Sequence, residues 1–127
     1  MNRLIGVSGI VSFGIGLTIL CFSCKKGPTL PSLATTSVSE ITQTTATSGG
    51  NVTDDGGENL TARGVCWSTS TGPTSADNII NSGSGISVFI SSLTGLSPGT
   101  LYYVRAYATN SAGTAYGNQR SFFTRVF

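Results

Sequence analysis

The fold of this chain is decided by residues 96–110, LSPGTLYYVRAYATN. Pro98 fixes its own φ and Gly99 tolerates a positive φ, so the first four residues predict a turn. Residues 100–109 are rich in tyrosine, valine and threonine and predict a β-strand after that turn. Side chains alternate between the two faces of a strand. The face predicted to point inward carries Tyr102, Val104, Ala106 and Ala108, and the outward face carries Leu101, Tyr103, Arg105 and Tyr107.

This stretch carries a family resemblance. A tyrosine at the start of such a strand, six residues after a leucine, resembles the tyrosine corner of immunoglobulin-like sandwiches, in which the buried hydroxyl bonds to upstream backbone. The form LSPGTLY is similar to the fibronectin type III module. The wider pattern, with TTATSGGNVTDDGG, ARGVCWS and a closing SFFT, resembles the fibronectin III-like modules of secreted and lipid-anchored proteins of Bacteroidetes-type bacteria. The resemblance implies an all-β immunoglobulin-like sandwich of about seven antiparallel strands over residues 33–127, and it implies no activity.

Length and composition leave room for this domain and a leader. The chain has 127 residues, and one such sandwich needs about 100. Charged residues make up 9%, against roughly 25% in an average soluble domain, which suits an exported β-protein. After residue 32, four arginines stand against five carboxylates, so the sandwich carries about one net negative charge. The sequence has no basic patch to neutralise phosphates, which argues against nucleic acid as a partner.

Residues 1–23 have the features of a bacterial lipoprotein signal peptide. Arg3 supplies the positive start, and residues 4–22 are apolar apart from glycines and three hydroxyl residues. Ser23-Cys24 at the end of this run resembles the lipobox of bacterial lipoproteins. The resemblance implies cleavage before Cys24 and attachment of diacylglycerol to its thiol. Residues 24–32 are then the lipidated cysteine and a short tether.

An uncleaved membrane anchor or an ordinary cleaved signal is the competing interpretation of the leader. Its 19-residue apolar run is close to the spanning minimum. Lys25 and Lys26 follow the run and Arg3 precedes it, so the positive-inside rule gives an anchor no clear orientation. Two acyl chains hold a protein stably without a helix. We therefore expect attachment to the bacterial outer membrane through Cys24, with the domain facing the periplasm or the cell surface.

The residue types argue against catalysis. The chain has no histidine, the usual base of serine and cysteine nucleophile systems and a common zinc ligand. Cys66 is the thiol that remains once Cys21 leaves with the signal and Cys24 is lipidated, and its place within a strand favours a structural role. We therefore predict no enzyme activity and no cofactor.

One cluster of acidic residues is a candidate metal site. Asp54, Asp55 and Glu58 are weak candidate ligands for calcium, which prefers oxygen. The run Asp-Asp-Gly-Gly is also a strong hairpin turn, and it lacks the alternating spacing of a calcium-binding loop. The sequence therefore predicts a turn here and no metal site.

Two packing questions remain open at this stage. Residues 61–68 predict a strand on which Trp67 and Cys66 point to opposite faces. We favour an inward Trp67, because the small residues that follow Tyr102 on the facing strand leave volume for it. The alternative places Trp67 outside, where it would stack with Arg105.

The strand that carries Phe89 and Leu93 raises the second question. If both residues point inward, as the family register implies, Ile86, Val88 and Ile90 form an outward apolar row, which is unusual on a solvated sheet. Either the register shifts or a loop covers the row, or the row is a contact surface for a partner or a second copy.

The outward faces supply the candidate interaction residues: Ile86, Val88, Ile90, Tyr103, Arg105 and Tyr107. Our leading hypothesis is a non-catalytic, lipid-anchored cell-envelope protein whose sandwich serves as a spacer or a protein-interaction module. One alternative is a glycan-binding accessory lipoprotein, with Tyr103, Tyr107 and Tyr116 as an aromatic platform. Another is a truncated N-terminal module of a larger multidomain surface protein. The sequence does not specify whether the partner is a protein or a glycan.

Overall fold

The computed structural model describes residues 27–127, which form eight β-strands. The strands are β1 (Ser32–Thr35), β2 (Ala46–Asp54), β3 (Ala62–Ser68), β4 (Asn78–Asn81), β5 (Ser87–Leu93), β6 (Leu101–Asn110), β7 (Gly113–Tyr116) and β8 (Arg120–Phe123). Within this part of the chain, no helix is long and apolar enough to cross a membrane. The signal segment and Cys24 lie outside the described residues, so export and lipidation stay predictions.

The strands form two antiparallel sheets that pack as a sandwich. The three-stranded sheet has the order β1-β2-β5, and the five-stranded sheet has the order β4-β3-β6-β7 with β8 also paired to β6. β8 pairs with the first half of β6 and β7 with the second half, so together they occupy one edge position. Eight strand segments therefore fill seven positions, and the predicted all-β sandwich is confirmed.

The core fills the space between the sheets. The predicted inward residues of β6, from Tyr102 to Ala108, are all buried. Trp67 also lies in the core, so the favoured inward orientation is confirmed. Gly50 is needed for this packing, since an added Cβ would come within 2.7 Å of the Ala106 side chain and 2.8 Å of the Phe89 ring.

The turn before β6 is closed by Tyr102. Its hydroxyl accepts a hydrogen bond of 2.8 Å from the backbone N–H of Ser97. Its ring stacks on Phe122, with ring centroids 5.7 Å apart, and Gly99 takes a φ of 60° in the turn. The hydroxyl at the start of β6 thus bonds to upstream backbone of the turn, so the tyrosine corner is confirmed.

Thr35, at the end of β1, links the two sheets. It contacts β6 between the part that pairs with β8 and the part that pairs with β7. The Thr35 hydroxyl accepts a 2.9 Å hydrogen bond from the N–H of Ala106 in β6. The N–H of Thr35 donates to the Asn118 side-chain oxygen at 2.9 Å, and its carbonyl accepts from Arg120 at 3.3 Å. We call this cluster of four residues the Thr35 junction. It ties the first strand of one sheet to the middle and edge of the other.

The turn predicted after β2 forms, but it does not join β2 and β3 as a hairpin. Asp54 and Asp55 do form tight turns, because their carboxylates accept the N–H groups of Gly56 and Gly57 at 2.8 and 2.9 Å. However, β2 and β3 belong to different sheets, so the segment crosses the sandwich. Turn residues set local backbone conformation, whereas the sheet that β3 joins is decided by its long-range pairing with β6.

Candidate functional site

The sandwich has two outer faces, and the predicted interaction residues are divided between them. Tyr103, Arg105 and Tyr107 lie on the outer side of the five-stranded sheet. Residues 69–77 pack on this side, and we call it the covered face; it also carries Cys66 and Tyr116. We call the outer side of the three-stranded sheet the bare face. It presents Ala34 from β1, Thr47, Gly49 and Asn51 from β2, and Val88 and Ile90 from β5.

Arg105 holds the segment that packs on the covered face. Its Nε and Nη2 atoms donate to the carbonyl of Pro73 at 2.9 and 2.6 Å. The guanidinium lies 4.2 Å from the centroid of the Tyr116 ring, and the Tyr116 hydroxyl accepts the N–H of Ser75 at 3.0 Å. Arg105 is thus engaged by a carbonyl and by an aromatic face, and it stabilises the domain itself. Its aromatic partner is Tyr116 and not Trp67.

Cys66 lies fully buried beneath the same segment. Its thiol donates to the carbonyl of Pro73 at 3.5 Å. Desolvation by burial raises the pKa of the Cys66 thiol to about 11, although the nearby charge of Arg105 acts in the opposite direction. A thiol in this state is protonated at neutral pH and unreactive.

Tyr107 corrects a prediction, because it is not part of an accessible surface. Only 3% of the residue is exposed. Its ring lies over Gly64 of β3, where an added Cβ would come within 3.1 Å of it, and its hydroxyl donates to the carbonyl of Ile80 in β4 at 3.1 Å. Burial also raises the pKa of Tyr107. The side chain points outward as predicted, but the neighbouring strands enclose it.

The predicted aromatic platform for a sugar does not form. Tyr107 is buried, the face of Tyr116 is occupied by Arg105, and Tyr103 is half-buried. A stacking platform requires ring faces open to solvent, and two of the three rings do not offer one.

The apolar row on the bare face is exposed. Ile86, Val88 and Ile90 are 53%, 62% and 73% exposed, while Phe89 and Leu93 are buried. The family register therefore holds, and no loop of residues 27–127 covers the row. β5 also ends the order β1-β2-β5. Natural edge strands are usually protected by charges, proline, bulges or a covering element, whereas residues 86–93, ISVFISSL, contain no charge and no proline.

β2 continues this surface with small, uncharged residues. Asn51 pairs with Val88, and Gly49 pairs with Ile90. A Cβ added at Gly49 would collide with the carbonyl oxygen of Phe89, so this position cannot carry a side chain without moving the strand. The bare face is therefore flat beside an apolar ridge.

A cleft of about 390 Å³ opens near the start of β5. Its lining residues are Asp55, Asn59, Leu60, Ser84, Gly85 and Ile86. Its volume lies within the range of roughly 300–1,000 Å³ typical of small-molecule sites. Sequence reasoning missed it, because its walls come from two loops that only the folded chain brings together.

The three acidic residues considered for calcium do not converge. Across residues 27–127, no group of three or more His, Cys, Asp and Glu residues is placed to hold a metal ion. Asp54 and Asp55 each direct a carboxylate oxygen to the turn that follows them. Their geometry accounts for the turn, and it assembles no metal site.

Comparison with known proteins shows the fold. No family model and no curated protein sequence matches the chain. Its structure is similar to the sensor domain of the anti-sigma factor RsgI4 in Pseudobacteroides cellulosolvens, with a TM-score of 0.57 and 19% identity over 78% of this chain and 98% of that chain. It is also similar to a human fibronectin type III domain, the fourth of its protein, with a TM-score of 0.58 and 20% identity over 87% of this chain and 89% of that one. The described residues are a fibronectin type III-like β-sandwich.

Proposed function

We propose that this protein is a non-catalytic, lipid-anchored protein of the bacterial cell envelope whose sandwich is a protein-interaction module. The exposed edge of β5 carries the interaction part of the proposal. An apolar row on a strand with one free side offers a partner both apolar area and unpaired backbone groups. The sensor domain among the similar structures is consistent with an interaction role for a sandwich of this shape.

The covered face supports the absence of catalysis. Cys66, the thiol of the sandwich, is buried and its raised pKa keeps it protonated at neutral pH. Two polar groups of the same face, Arg105 and Tyr116, are engaged with Pro73 and Ser75. The chain has no histidine to serve as a base. These groups of the covered face hold the fold together, and none of them is an activated nucleophile.

The sequence of the leader and the start of the domain support the anchor. The N–H of Thr29 donates to the carbonyl of Gly56 at 2.9 Å, and its carbonyl accepts from Asn110 at 2.7 Å. The sandwich therefore begins to hold the chain at Thr29, within the residues 24–32 proposed as lipidated cysteine and tether. Four intervening residues span at most about 15 Å. The proposed lipid would hold the domain close to the membrane.

Cys24→Ser in the full chain tests the anchor. A bacterium that expresses the wild-type chain and is fed a labelled fatty acid should yield a cleaved, labelled protein that sediments with membranes. Cys24→Ser should lose the label and accumulate as the uncleaved precursor, because its hydroxyl does not replace the thiol in this modification. Cys21→Ser, the matched control, should keep both label and cleavage. A wild-type chain that stays uncleaved and unlabelled in the membrane would contradict the proposal and support a transmembrane leader.

A photo-crosslinking residue at position 90 of the full chain tests the interaction module. Position 90 should form a crosslinked product in cells, because Ile90 is the most exposed residue of the apolar row. Position 71, on the exposed segment of the covered face, is the control and should give none. Equal or absent products at both positions would contradict an interaction through β5.

A further inference from the structure

We infer that the partner of the β5 edge is the β5 edge of a second copy of this chain, paired antiparallel about a two-fold axis at Phe89. This inference rests on the proposed interaction function and names its partner. Three features of β5 support this pairing: its symmetric order of residue types, the direction of its backbone groups and its lack of charge.

The order of residue types in the first five residues of β5 is the same in both chain directions. Residues 87–91 are Ser-Val-Phe-Ile-Ser. Antiparallel pairing centred on Phe89 places Val88 opposite Ile90 of the second copy, and it places Ser87 opposite Ser91 of the second copy. A closed two-fold contact requires a self-complementary patch, and opposed β-branched residues are a favourable cross-strand pair. Centred in this way, each of residues 87–91 meets a residue of its own kind, and Ser92 and Leu93 lie beyond the matched segment.

The backbone groups that this pairing needs point to the free edge. In an antiparallel ladder the N–H and C=O of one residue face one neighbouring strand, and those of the next residue face the other. The carbonyl of Phe89 faces β2, since a Cβ added at Gly49 would collide with it. Val88 and Ile90 therefore direct their N–H and C=O groups away from β2. These residues become the hydrogen-bonded pairs of the joined strands, and each pair exchanges both of its N–H···O bonds.

Charge does not oppose this approach. Residues 78–93 contain no charged side chain, so two copies bring no like charges together along the strand. Arg63, which packs on Phe89 with its guanidinium 5.0 Å from the ring centroid, donates to the carbonyls of Ser82 and Gly85 within its own copy. A partner strand with strong charge of either sign would find no counter-charge on β5, whereas a second β5 needs none.

The contact between the two β5 strands is small, so it requires a high concentration of the chain. Five paired residues span about 17 Å, and covering such a strip buries on the order of 400 Å² per copy, about half of the roughly 800 Å² per partner in a standard interface. The pair is therefore weak in dilute solution. Confinement of the chains to one membrane raises their effective concentration and favours it.

The two-fold axis is compatible with that confinement. The two-fold axis relates the two copies of Thr29, the residue at which each sandwich begins to bind its tether. The two Thr29 residues therefore lie at the same position along the axis. When the axis is perpendicular to the membrane, both tethers reach the same surface. The joined strands then lie parallel to the membrane plane.

Cysteine crosslinking in membranes that contain the full chain tests this register. Chains with Val88→Cys and chains with Ile90→Cys, carrying different tags, are expressed together or separately and oxidised. Opposed residues of a hydrogen-bonded pair have Cα atoms about 5.5 Å apart, within the disulfide range of about 4.4–6.8 Å. Identical residues lie on the diagonal, about 7–8 Å apart. The mixed sample should therefore give several-fold more mixed-tag dimer than the same-tag dimer that either variant forms with itself.

Two control variants separate the explanations. Thr71→Cys, on the covered face, should give only background dimer. Val88→Lys combined with Ile90→Cys should lose the crosslink to Val88→Cys chains while keeping the circular dichroism of the wild type, because a lysine on an exposed edge blocks pairing and costs little stability. Preferred crosslinking of either variant to itself, or no mixed-tag dimer, overturns the pairing.

The photo-crosslinking experiment at position 90 distinguishes this failure from failure of the proposed function. A product of twice the chain mass supports self-pairing. A product of another mass overturns the second copy as partner while the interaction module stands, and no product overturns both.

Discussion

The two outer faces of this sandwich differ in what lies on them. On the covered face, residues 69–77 pack over the sheet and are held by Arg105, Tyr116 and the thiol of Cys66. On the bare face, no comparable layer of residues 27–127 lies over Val88 and Ile90. The same chain therefore covers one sheet closely and leaves the other open at its most apolar edge. The exposure of β5 is therefore specific to the bare face and does not reflect loose packing of the whole domain.

Arg105→Ala breaks the covered face and has the largest expected effect. It removes two hydrogen bonds to Pro73 and the stack on Tyr116. We expect a loss of about 2–3 kcal/mol in the free energy of unfolding, measured by urea denaturation. Because the segment above it is released, Cys66 should also react with a thiol reagent at least about tenfold faster under native conditions.

Tyr102→Phe is the matched control for that experiment. It removes the hydroxyl that accepts the N–H of Ser97, so it should lower the free energy of unfolding by about 1 kcal/mol. The Tyr102 hydroxyl bonds to Ser97 and not to residues 69–77, so the reaction of Cys66 should stay slow. Unchanged reactivity of Cys66 in Arg105→Ala would mean that the segment is held without the arginine.

Alkaline pH should weaken the covered face by a somewhat smaller amount. The pKa of Cys66 is raised from 9.0 to about 11 in the folded state, so the fold binds this proton more tightly than the unfolded chain does. Its stabilising contribution is complete below pH 9 and is lost as the pH rises to about 11, a change on the order of 2 kcal/mol. Burial also raises the pKa of Tyr107, which acts in the same direction.

Urea midpoints across this pH window provide the measurement. Cys66→Val should flatten part of the alkaline loss, and Tyr107→Phe should flatten another part. A wild-type loss that persists unchanged in both variants would contradict burial of these two groups as its cause.

Val88→Thr on the bare face should have the smallest effect. The two side chains have the same shape and both suit a strand, so the free energy of unfolding should change by less than about 0.5 kcal/mol. Val65→Thr is the matched control, because Val65 is fully buried and a hydroxyl placed there should cost about 1–3 kcal/mol. A loss above about 1 kcal/mol at Val88 would show that its side chain is covered after all.

The sequence predicted those features of the fold that depend on residues within a single strand. Alternation placed Tyr102 and Val104 inward and Val88 and Ile90 outward, because the side-chain period of a strand is a local property. The tyrosine corner was predicted from the family resemblance of LSPGTLY, and the bond that closes it joins Ser97 and Tyr102, which are close neighbours along the chain. The family register placed Ile86, Val88 and Ile90 on the outward side, but the sequence left open whether a loop covers them.

The remaining features depend on residues far apart in sequence. Burial of Tyr107 requires Gly64 beneath its ring and Ile80 at its hydroxyl, and the crossover after Asp54 requires the pairing of β3 with β6. The carbonyl of Pro73 that engages Arg105 lies in a segment with no strand pattern. No local rule brings these groups together, so the covered face was harder to predict than the bare one.

The Thr35 junction affects how this sandwich responds to tension. The chain enters the domain through β1, which ends at Thr35, and it leaves through β8, which begins at Arg120. A pull on the two ends first loads bonds nearer those ends, such as Thr29 to Gly56 and Arg125 to Thr42. It then reaches Thr35, which is bonded to Asn118 and Arg120 and also to Ala106 in the middle of the opposite sheet. Because breaking these bonds removes a link between the two sheets, we expect the Thr35 junction to contribute resistance to extension of the domain.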